Sequence, residues 1–424
     1  MLNPVNRKKA HLTNSDRMIR LGDVMEIART VKIKINLPRE AAVRTLNTWT
    51  EACNLVSRIA FENGCLSNAI RLQKLAYRPA KEVGLSAQLA GSCIRHVASE
   101  YVAIRSNKRS PKAPCQFRKQ AVILQGGTRG RDVSLRASGL SIWTVDGRFK
   151  AVPFQGPPDL EDKLNNWNLG DGRLSVSRKH VFLTLSFKKE VEPRTAPNDA
   201  VIGVDRGINV LACATDGKRH WMRKGGHTKH LRDRYSNVRA SLQKRKAEHP
   251  TRSVAKVLKR LSGREARFMR AVNHEVSKAV VTFAERTGCP VIAIEDLEGI
   301  RNRRLRKVQR REIGRWAYGQ LRKFITYKAE GLGMVVVGID PRYTSQGCSR
   351  CGHTEASNRQ GNLFLCKACG HSLHADLNAA HNIRLRGILA RQALSEDGAS
   401  HAPPKFAPTI RSGKPGRRRT SRQL

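Results

Sequence analysis

One stretch of the sequence decides the fold: CSRCGHTEASNRQGNLFLCKACGHSLHADLNAAHNI, residues 348–383. It contains two Cys-x-x-Cys pairs, each followed by a glycine and separated by 14 residues. Each pair turns two sulfur atoms to one side of a tight turn, and two such turns at the ends of a hairpin complete a tetrahedral thiolate site. The sequence therefore predicts a zinc ribbon over 344–371. Its predicted zinc ligands are Cys348, Cys351, Cys366 and Cys369.

Two other interpretations of these cysteines are a pair of disulfides and four unrelated thiols. Disulfides are disfavoured in the cytosol, where we expect this chain to be. Four thiolates close the coordination sphere, so the predicted zinc is structural, and His353 and His371 are surplus to it. The remaining cysteines lie mostly in apolar runs and are predicted to be small buried residues: Cys53, Cys65, Cys93, Cys115, Cys213 and Cys289.

Three acids stand at the ends of predicted elements upstream and downstream of the ribbon. Asp205 ends the strand VIGVD, Glu295 ends the strand VIAIE, and Asp376 begins the helix DLNAAHNI. Any one of them alone could mark the point where the chain reaches solvent. Asp296 adjoins Glu295, but strand alternation points it to the other face. The order strand-Asp, strand-Glu, ribbon and helix-Asp is the informative feature.

Cleavage of a phosphodiester by two divalent ions needs several carboxylates around ions about 3.5–4 Å apart. Magnesium prefers oxygen ligands of this kind. The order of the acids predicts a magnesium (or manganese) site in an RNase H-like sheet. Asp205 would bridge the two ions, and Glu295 and Asp376 would each complete one of them.

The charge of the chain points to a polyanionic partner. Its 424 residues contain 80 Lys and Arg against 34 Asp and Glu, a formal net charge of +46. Nucleic acid is the expected partner because each neutralised phosphate releases a counterion. No apolar run approaches the roughly 20 residues of a spanning helix, and no signal peptide is visible. We therefore expect a cytoplasmic protein with no membrane partner.

The densest internal basic runs are 228–246 and 301–311. A solvated helix face is the ordinary interpretation of such a run. Both runs flank the strand that ends in Glu295, so we interpret them as nucleic-acid contacts. The tryptophans are predicted to lie in the core rather than to stack on bases: Trp49, Trp143, Trp167 and Trp316.

These residues resemble the TnpB family, the transposon-associated RNA-guided nucleases, and the related compact type V CRISPR effectors. The resemblance runs from about 201 to 387 through GVDRGINVLACAT, VIAIEDL, RWAYGQLRKFITYKAE, GIDPRYTSQGCSRCG and CKACGHSLHADLNAAHNI. In that family the acids that match Asp205, Glu295 and Asp376 are catalytic, and the four matching cysteines bind zinc.

The chain departs from the family pattern at two places. Many relatives read Asp-Arg-Asp where this chain reads His374-Ala375-Asp376, which leaves Asp376 as the sole candidate acid. Many relatives also have an arginine four residues before the third ribbon cysteine. That position is Asn362 here, and Arg359 is the nearest basic residue, so the motif does not predict a phosphate contact by Arg359.

The resemblance implies an RNA-guided DNA endonuclease from a transposon or CRISPR-like locus. Its partners would be a guide RNA and double-stranded and single-stranded target DNA, and one RuvC-like site would cut both strands in turn. Two alternatives are a transposase and a nucleic-acid-binding regulator with vestigial carboxylates. The intact acids weigh against the regulator, and the ribbon just before the last acid weighs against the transposase. The oligomeric state stays open.

The expected fold class is α/β plus β. It comprises a RuvC-like nuclease domain with an inserted zinc ribbon, preceded by a wedge-like β-domain that carries a helical recognition insertion. The predicted boundaries are an N-terminal arm at 1–27, the wedge-like domain at 28–40 and 106–200, the helical insertion at 41–105, the nuclease domain at 201–343 and 372–392, the ribbon at 344–371 and a disordered basic tail at 393–424.

Overall fold

The computed structural model describes residues 24–107, 111–118, 121–127, 131–136, 139–177, 179–297 and 318–396. Most of the predicted N-terminal arm, the basic run 301–311, Trp316 and nearly all of the predicted tail lie outside the described residues. The chain divides into two compact units, Glu26–Glu190 and a second unit that contains the described residues from Val191 onward. No described helix is both long and apolar enough to cross a membrane.

The first unit combines a long strand, three helices and a set of short strands. Its elements are β1 (Met25–Ile35), α1 (Arg39–Glu62), α2 (Ala69–Glu82), α3 (Ala87–Ser106), β2 (Val122–Leu124), β3 (Val133–Arg136), β4 (Gly139–Thr144), β5 (Gly147–Val152), β6 (Phe154–Gln155), α4 (Leu160–Asn166), β7 (Asn168–Val176) and β8 (Val181–Val191). The strands form one sheet in the order β2-β7-β8-β1-β6 and another in the order β3-β4-β5. The sequence predicted the strand, the three helices and the short strands in this order, but not α4.

The helices of the first unit follow from their caps and their apolar faces. Asn68 and Ser86 begin α2 and α3, and their side chains accept hydrogen bonds from the N–H groups of Arg71 and Leu89. Trp49 on α1 and Tyr101 on α3 are almost fully buried in a core that the helices share with the strands. The core prediction therefore holds for Trp49, whereas Trp143 and Trp167 are only partly buried.

The second unit is built around a five-stranded sheet. Its elements are β9 (Val201–Asp205), β10 (Val210–Thr215), β11 (His220–Lys224), α5 (Gly226–Glu248), α6 (Arg252–Leu261), α7 (Arg264–Arg286), β12 (Val291–Glu295), α8 (Tyr318–Glu330), β13 (Val335–Ile339), β14 (Arg359–Gln360), β15 (Leu363–Leu365), β16 (Ser372–His374) and α9 (Ala375–Glu396). The large sheet has the order β11-β10-β9-β12-β13, and β14, β15 and β16 form a small separate sheet.

The long basic region predicted as helical over 228–286 is divided into three helices. Helix α5 ends before Pro250, because proline has no backbone N–H group to donate to the helix. Thr251 then caps α6 by accepting from the N–H of Val254. Gly263 separates α6 from α7 with a φ of +76°, a conformation that glycine adopts without a steric penalty.

Helices cover both faces of the large sheet. On one face α7 and α8 pack against Ile202 and Ile294 through an apolar core. On the other face Ile383 of α9 packs against Val201 and Ala293. The helix lies very close to β9: a Cβ atom at Gly203 would stand 2.0 Å from the carbonyl oxygen of Ala380. Glycine at this position therefore lets α9 cross the centre of the sheet.

Candidate functional site

The register of the two central strands brings two of the predicted acids to one edge of the sheet. Strands β9 and β12 are parallel, and Val204 pairs with Ile294. The next residue of each strand is an acid, Asp205 and Glu295. Because the strands run in the same direction, both carboxylates leave the sheet at the same end.

The third acid reaches this end from the helix that crosses the sheet. Asp376 lies in the first turn of α9, and α9 packs against both β9 and β12. Glu295 and Asp376 are buried, at 8% and 7% relative exposure, and Asp205 is half-buried. The structure thus brings together the three acids that the sequence singled out.

The electrostatics of the cluster show that the three carboxyl groups interact. Burial, and then the charges of Glu295 and Asp376, raise the pKa of Asp205 to about 8. Burial also raises the pKa of Glu295, although a hydrogen bond from Thr344 and the charge of Arg206 oppose the shift. A divalent cation would relieve this mutual repulsion, so the residues fit a metal.

The cluster is more open than a site for a single ion. The oxygen atoms of Asp205, Glu295 and Asp376 do not all lie within 4.8 Å of one another, whereas the four cysteine sulfurs of the ribbon do. Two ions held about 3.5–4 Å apart separate the outer ligands further than one ion does. The three carboxylates therefore interact without forming a compact single-ion cluster in this structure.

Three further polar residues contact the acids, and the sequence did not predict them. The Arg359 guanidinium donates to Asp376 Oδ1 at 2.9 Å, although the motif predicted no role for this arginine. The Thr344 hydroxyl donates to Glu295 Oε1, and Thr344 is buried. The buried Arg206 guanidinium donates to the backbone carbonyl of Glu295. Thr344 and Arg359 thus contact the carboxylates themselves, whereas Arg206 holds the backbone of Glu295.

The proton linkage of Asp205 gives a test that needs no substrate. The folded carboxyl has a pKa of about 8, whereas an unfolded aspartate titrates near 3.9. The folded metal-free protein therefore holds a proton that the unfolded chain releases, so its stability falls as the pH rises from about 4 to about 8. In EDTA at pH 8, we expect the Tm of Asp205→Asn to be at least about 5 °C higher than that of wild type. At pH 4 the two Tm values should be equal.

The control for this measurement is Asp296→Asn. Asp296 is the neighbouring acid, and it pairs with Arg322 at 3.0 Å in a partly exposed salt bridge. We expect no comparable dependence on pH for this variant, because exposed ion pairs contribute little. A difference between Asp205→Asn and wild type that is the same at both pH values would contradict the raised pKa.

The four predicted zinc ligands form a cluster of the right size for zinc. The sulfur atoms of Cys348 and Cys369 lie 3.7 Å apart, and those of Cys351 and Cys366 lie 3.6 Å apart. Tetrahedral zinc with Zn–S bonds of about 2.3 Å places its ligands about 3.8 Å apart. Burial acts to raise the pKa of Cys366, but the N–H groups of Cys369 and Ala368 outweigh it and lower the pKa to about 6. This shift favours the thiolate at Cys366, whereas burial raises the pKa of the Cys348 thiol.

The two cysteine turns repeat one backbone geometry. The N–H groups of Cys348 and Cys366 each donate to the carbonyl five residues later, both at 2.9 Å. Gly352 and Gly370 close the turns with φ values of +76° and +67°. The N–H group of each glycine donates to the carbonyl of the first cysteine of its pair, at 2.9 and 3.0 Å. The repeat explains why a glycine follows each pair.

Two asparagines of α9, the helix that carries Asp376, form hydrogen bonds with the backbone around the first cysteine turn. Asn378 is fully buried and accepts from the N–H of Ser349 at 3.0 Å, while its amide donates to the carbonyl of Gly347 at 2.8 Å. Asn382 donates to the carbonyls of Gly347 and Thr344 at 2.7 and 2.8 Å. Asp376 therefore stands on a helix that is anchored to the first cysteine turn.

Two protein-family models match the chain. The model described as "Cas12f1-like, TNB domain" matches residues 318–383, and the model described as "Probable transposase" (OrfB_IS605) matches residues 184–301. The TnpB-like protein MJ0751 of Methanocaldococcus jannaschii is 26% identical over 226 residues, which is 52% of this chain and 80% of the relative. The resemblance to the TnpB family is confirmed.

Members of the TnpB family and their Cas12f1 relatives match the chain over about half of its length. A CRISPR-associated endodeoxyribonuclease Cas12f1 of Sulfoacidibacillus thermotolerans is 33% identical over 239 residues, 54% of this chain and 52% of the relative. The putative RNA-guided DNA endonuclease InsQ of Escherichia coli is 28% identical over 243 residues, 54% of this chain and 59% of that protein. The chain thus spans about half the length of the Cas12f1 relative.

The fold itself is similar to that of a solved Cas12f1 protein. A chain in a cryo-EM structure of a Cas12f1–sgRNA–target DNA complex superposes with a TM-score of 0.60 and 15% identity. The superposition covers 82% of this chain and 81% of that chain. The mixed α/β architecture is therefore shared with a Cas12 effector beyond the segment in which the sequences match.

Proposed function

We propose that this protein is an RNA-guided DNA endonuclease that hydrolyses phosphodiester bonds with two divalent ions, magnesium or manganese. Its site would be Asp205, Glu295 and Asp376 in an RNase H-like domain of the RuvC type. A structural zinc at Cys348, Cys351, Cys366 and Cys369 would hold the inserted ribbon. The domain boundaries inferred from the sequence, with a wedge-like β-domain and a helical insertion before the nuclease domain, are part of the proposal.

One observation carries the proposal: three carboxylates from two strands and a helix converge on one edge of a sheet in a strongly basic protein. Burial and mutual repulsion raise the pKa of Asp205 to about 8, although the chain has a formal net charge of +46. Carboxylates that are buried together stay ionised at a high cost unless they hold cations. Relatives named as endonucleases in both the TnpB and the Cas12f1 groups agree with this interpretation.

Each residue of the proposed site would have a distinct role in binding the ions or in positioning a ligand. Asp205 would bridge the ions, and Glu295 and Asp376 would each hold one. When bound, the ions would supply an activated water and stabilise the leaving oxygen. Thr344 would orient the carboxylate of Glu295, Arg359 that of Asp376, and Arg206 holds the backbone at Glu295. Arg359 is 32% exposed, so its guanidinium can also contact a phosphate.

The described basic surface suits a nucleic-acid partner. Helix α5 has 23 residues, of which only Thr228 and Arg232 are buried, and its exposed basic side chains extend to Lys244, Arg245 and Lys246. In a guided nuclease, base pairing with the guide RNA recognises the target sequence. The protein then needs only contacts to phosphates that do not depend on sequence. The proposed partners are therefore a guide RNA and its target DNA, double-stranded or single-stranded.

The deciding experiment is to purify the protein from cells that express it with its flanking DNA and to sequence the RNA that remains bound. A single structured RNA is expected. With the guide portion of that RNA reprogrammed, a matching DNA duplex should be cut in magnesium and left intact in EDTA. A protein without bound RNA that cuts no guided target would refute the proposal.

A transposase is the second candidate, because the "Probable transposase" family model covers residues 184–301. The same preparation separates the two functions. A transposase should bind duplexes with the sequence of the element's ends and join them to a target DNA without any RNA. Guided cleavage with no strand transfer would exclude it.

Thr344 provides a prediction about the geometry of the site. Its hydroxyl donates to Glu295 Oε1 and also lies 3.0 Å from the carbonyl of Pro341. A hydrogen bond to a charged group contributes about 1.5–3 kcal/mol, so Thr344→Val should slow single-turnover cleavage about 10- to 100-fold. It should also raise the magnesium concentration at half-maximal rate. Thr344→Ser keeps the hydroxyl and should cut like wild type; equal rates for the valine variant would show that the bond is dispensable.

A further inference from the structure

The turn between β13 and the first cysteine pair contains an unusual residue. Tyr343 has a φ of +61°, in the left-handed region where a side chain crowds the backbone. Two other described residues that are not glycine have a positive φ, Cys65 and Ala151. Both have small side chains: Cys65 follows Gly64 at the end of α1, and Ala151 lies where the pairing of β4 with β5 shifts register. Tyr343 is the bulky one of the three.

The contacts around Tyr343 impose this conformation. Arg386 donates to the carbonyls of Asp340 and Arg342 at 2.7 and 2.8 Å. The N–H groups of Gln346 and Gly347 donate to the carbonyl of Tyr343 at 3.1 and 2.9 Å. The backbone of the turn is therefore fixed on both sides. Glycine would satisfy the same bonds without steric cost, so the ring of Tyr343 needs another explanation.

The position of the ring supplies that explanation. The Tyr343 residue is 48% exposed, and within the described residues no hydrogen bond, ion pair or ring contact of its side chain is found. The next residue, Thr344, is buried and its hydroxyl contacts Glu295. Consecutive Cα atoms are about 3.8 Å apart, so the exposed Tyr343 is the residue directly before one that contacts the carboxylate cluster.

We propose that Tyr343 is a stacking platform for a nucleobase of the DNA strand whose phosphate lies at Asp205, Glu295 and Asp376. The proposal rests on the proposed nuclease function. A base stacked on a rigid ring places the phosphate attached to it at a fixed distance from the acids. Stacking accepts any base, which suits an enzyme whose specificity comes from a guide. The hydrogen bonds that hold the backbone of the turn restrict the positions open to the ring.

The test compares Tyr343→Gly with Tyr343→Phe in the full chain with its guide RNA. Glycine removes the ring and also relieves the positive φ, whereas phenylalanine keeps both. For Tyr343→Gly we expect an unchanged or higher Tm, unchanged guided binding and about ten-fold slower cleavage of the target. Tyr343→Phe should match wild type in all three measurements.

A fluorescent base gives a direct measure of stacking. A series of targets would each carry one 2-aminopurine at successive positions around the cut site mapped for wild type, and the protein would carry Asp205→Asn so that the DNA stays whole. We expect quenching at one position beside the cut, its loss with Tyr343→Gly and its return with Tyr343→Phe. Normal quenching and cleavage by Tyr343→Gly, or a lowered Tm as its main effect, would overturn the proposal. Absence of guided cleavage by wild type would instead refute the proposed function.

Discussion

Replacing Asp205 with alanine should reduce guided DNA cleavage about a thousand-fold or more while leaving guided binding intact. Burial, and then the charges of Glu295 and Asp376, raise the pKa of Asp205, so this acid interacts with both of the others. In the proposed site it would be the ligand shared by the two ions. Metal ions stabilise the transition state by several kcal/mol, and each 1.36 kcal/mol corresponds to a factor of ten in rate. In the proposed function, binding would depend on basic side chains and base pairing, neither of which involves Asp205.

The measurement is single-turnover cleavage beside a binding assay on the same labelled target. Asp296→Ala is the matched control, because Asp296 is also an acid at the end of the sheet but pairs with Arg322. It should cut at a rate close to that of wild type. Cleavage by Asp205→Ala at the wild-type rate would show that the reacting phosphate lies elsewhere.

Replacing Cys366 with serine should have the second large effect, loss of zinc and of the folded ribbon. Structural zinc contributes about 10–16 kcal/mol in isolated zinc-finger peptides, which matches or exceeds the total stability of most domains. Asn378 and Asn382 hold α9 through the carbonyl of Gly347, next to Cys348. Release of the ribbon should therefore displace Asp376 and abolish cleavage as well.

Zinc content by metal analysis and thermal melting would follow this change. Wild type is expected to contain one zinc per chain, and Cys366→Ser almost none. Cys115→Ser, a half-buried cysteine outside the cluster, should keep both zinc and Tm close to wild type. Cys366→His supplies a different zinc ligand and should recover part of the metal content. Full zinc occupancy in Cys366→Ser would refute a four-cysteine site.

The elements that could be predicted from the sequence are those with a strong local pattern. The strands around Val204 and Ile294 are short apolar runs that end in an acid, and the cysteine turns have fixed spacing with a glycine after each pair. These patterns depend on neighbours within a few residues. The catalytic roles of Asp205, Glu295 and Asp376 stay a prediction until the variants are measured.

The residues that the sequence did not reveal act through contacts between distant segments. Arg359 reaches Asp376 because the hairpin of the ribbon folds back on α9, a contact that no periodicity encodes. Thr344 lies in a turn, where a small polar residue is ordinary. Asn378 and Asn382 did leave a signal: two amides four residues apart in a helix lie on one face, next to apolar residues such as Ile383.

Two hydrogen-bonding arginines connect α9 to the beginning of the large sheet, and this connection can form only late in synthesis. Arg384 donates to the carbonyl of Val201 at 3.0 Å, and Arg391 donates to that of Pro197 at 2.7 Å. These arginines join segments that the ribosome makes almost two hundred residues apart, and chains generally fold from the N-terminal end during synthesis. A nascent polypeptide therefore carries the basic surface and two of its acids before Asp376 is translated. Under the proposed function, the cutting site would therefore stay incomplete until translation reaches the final helix.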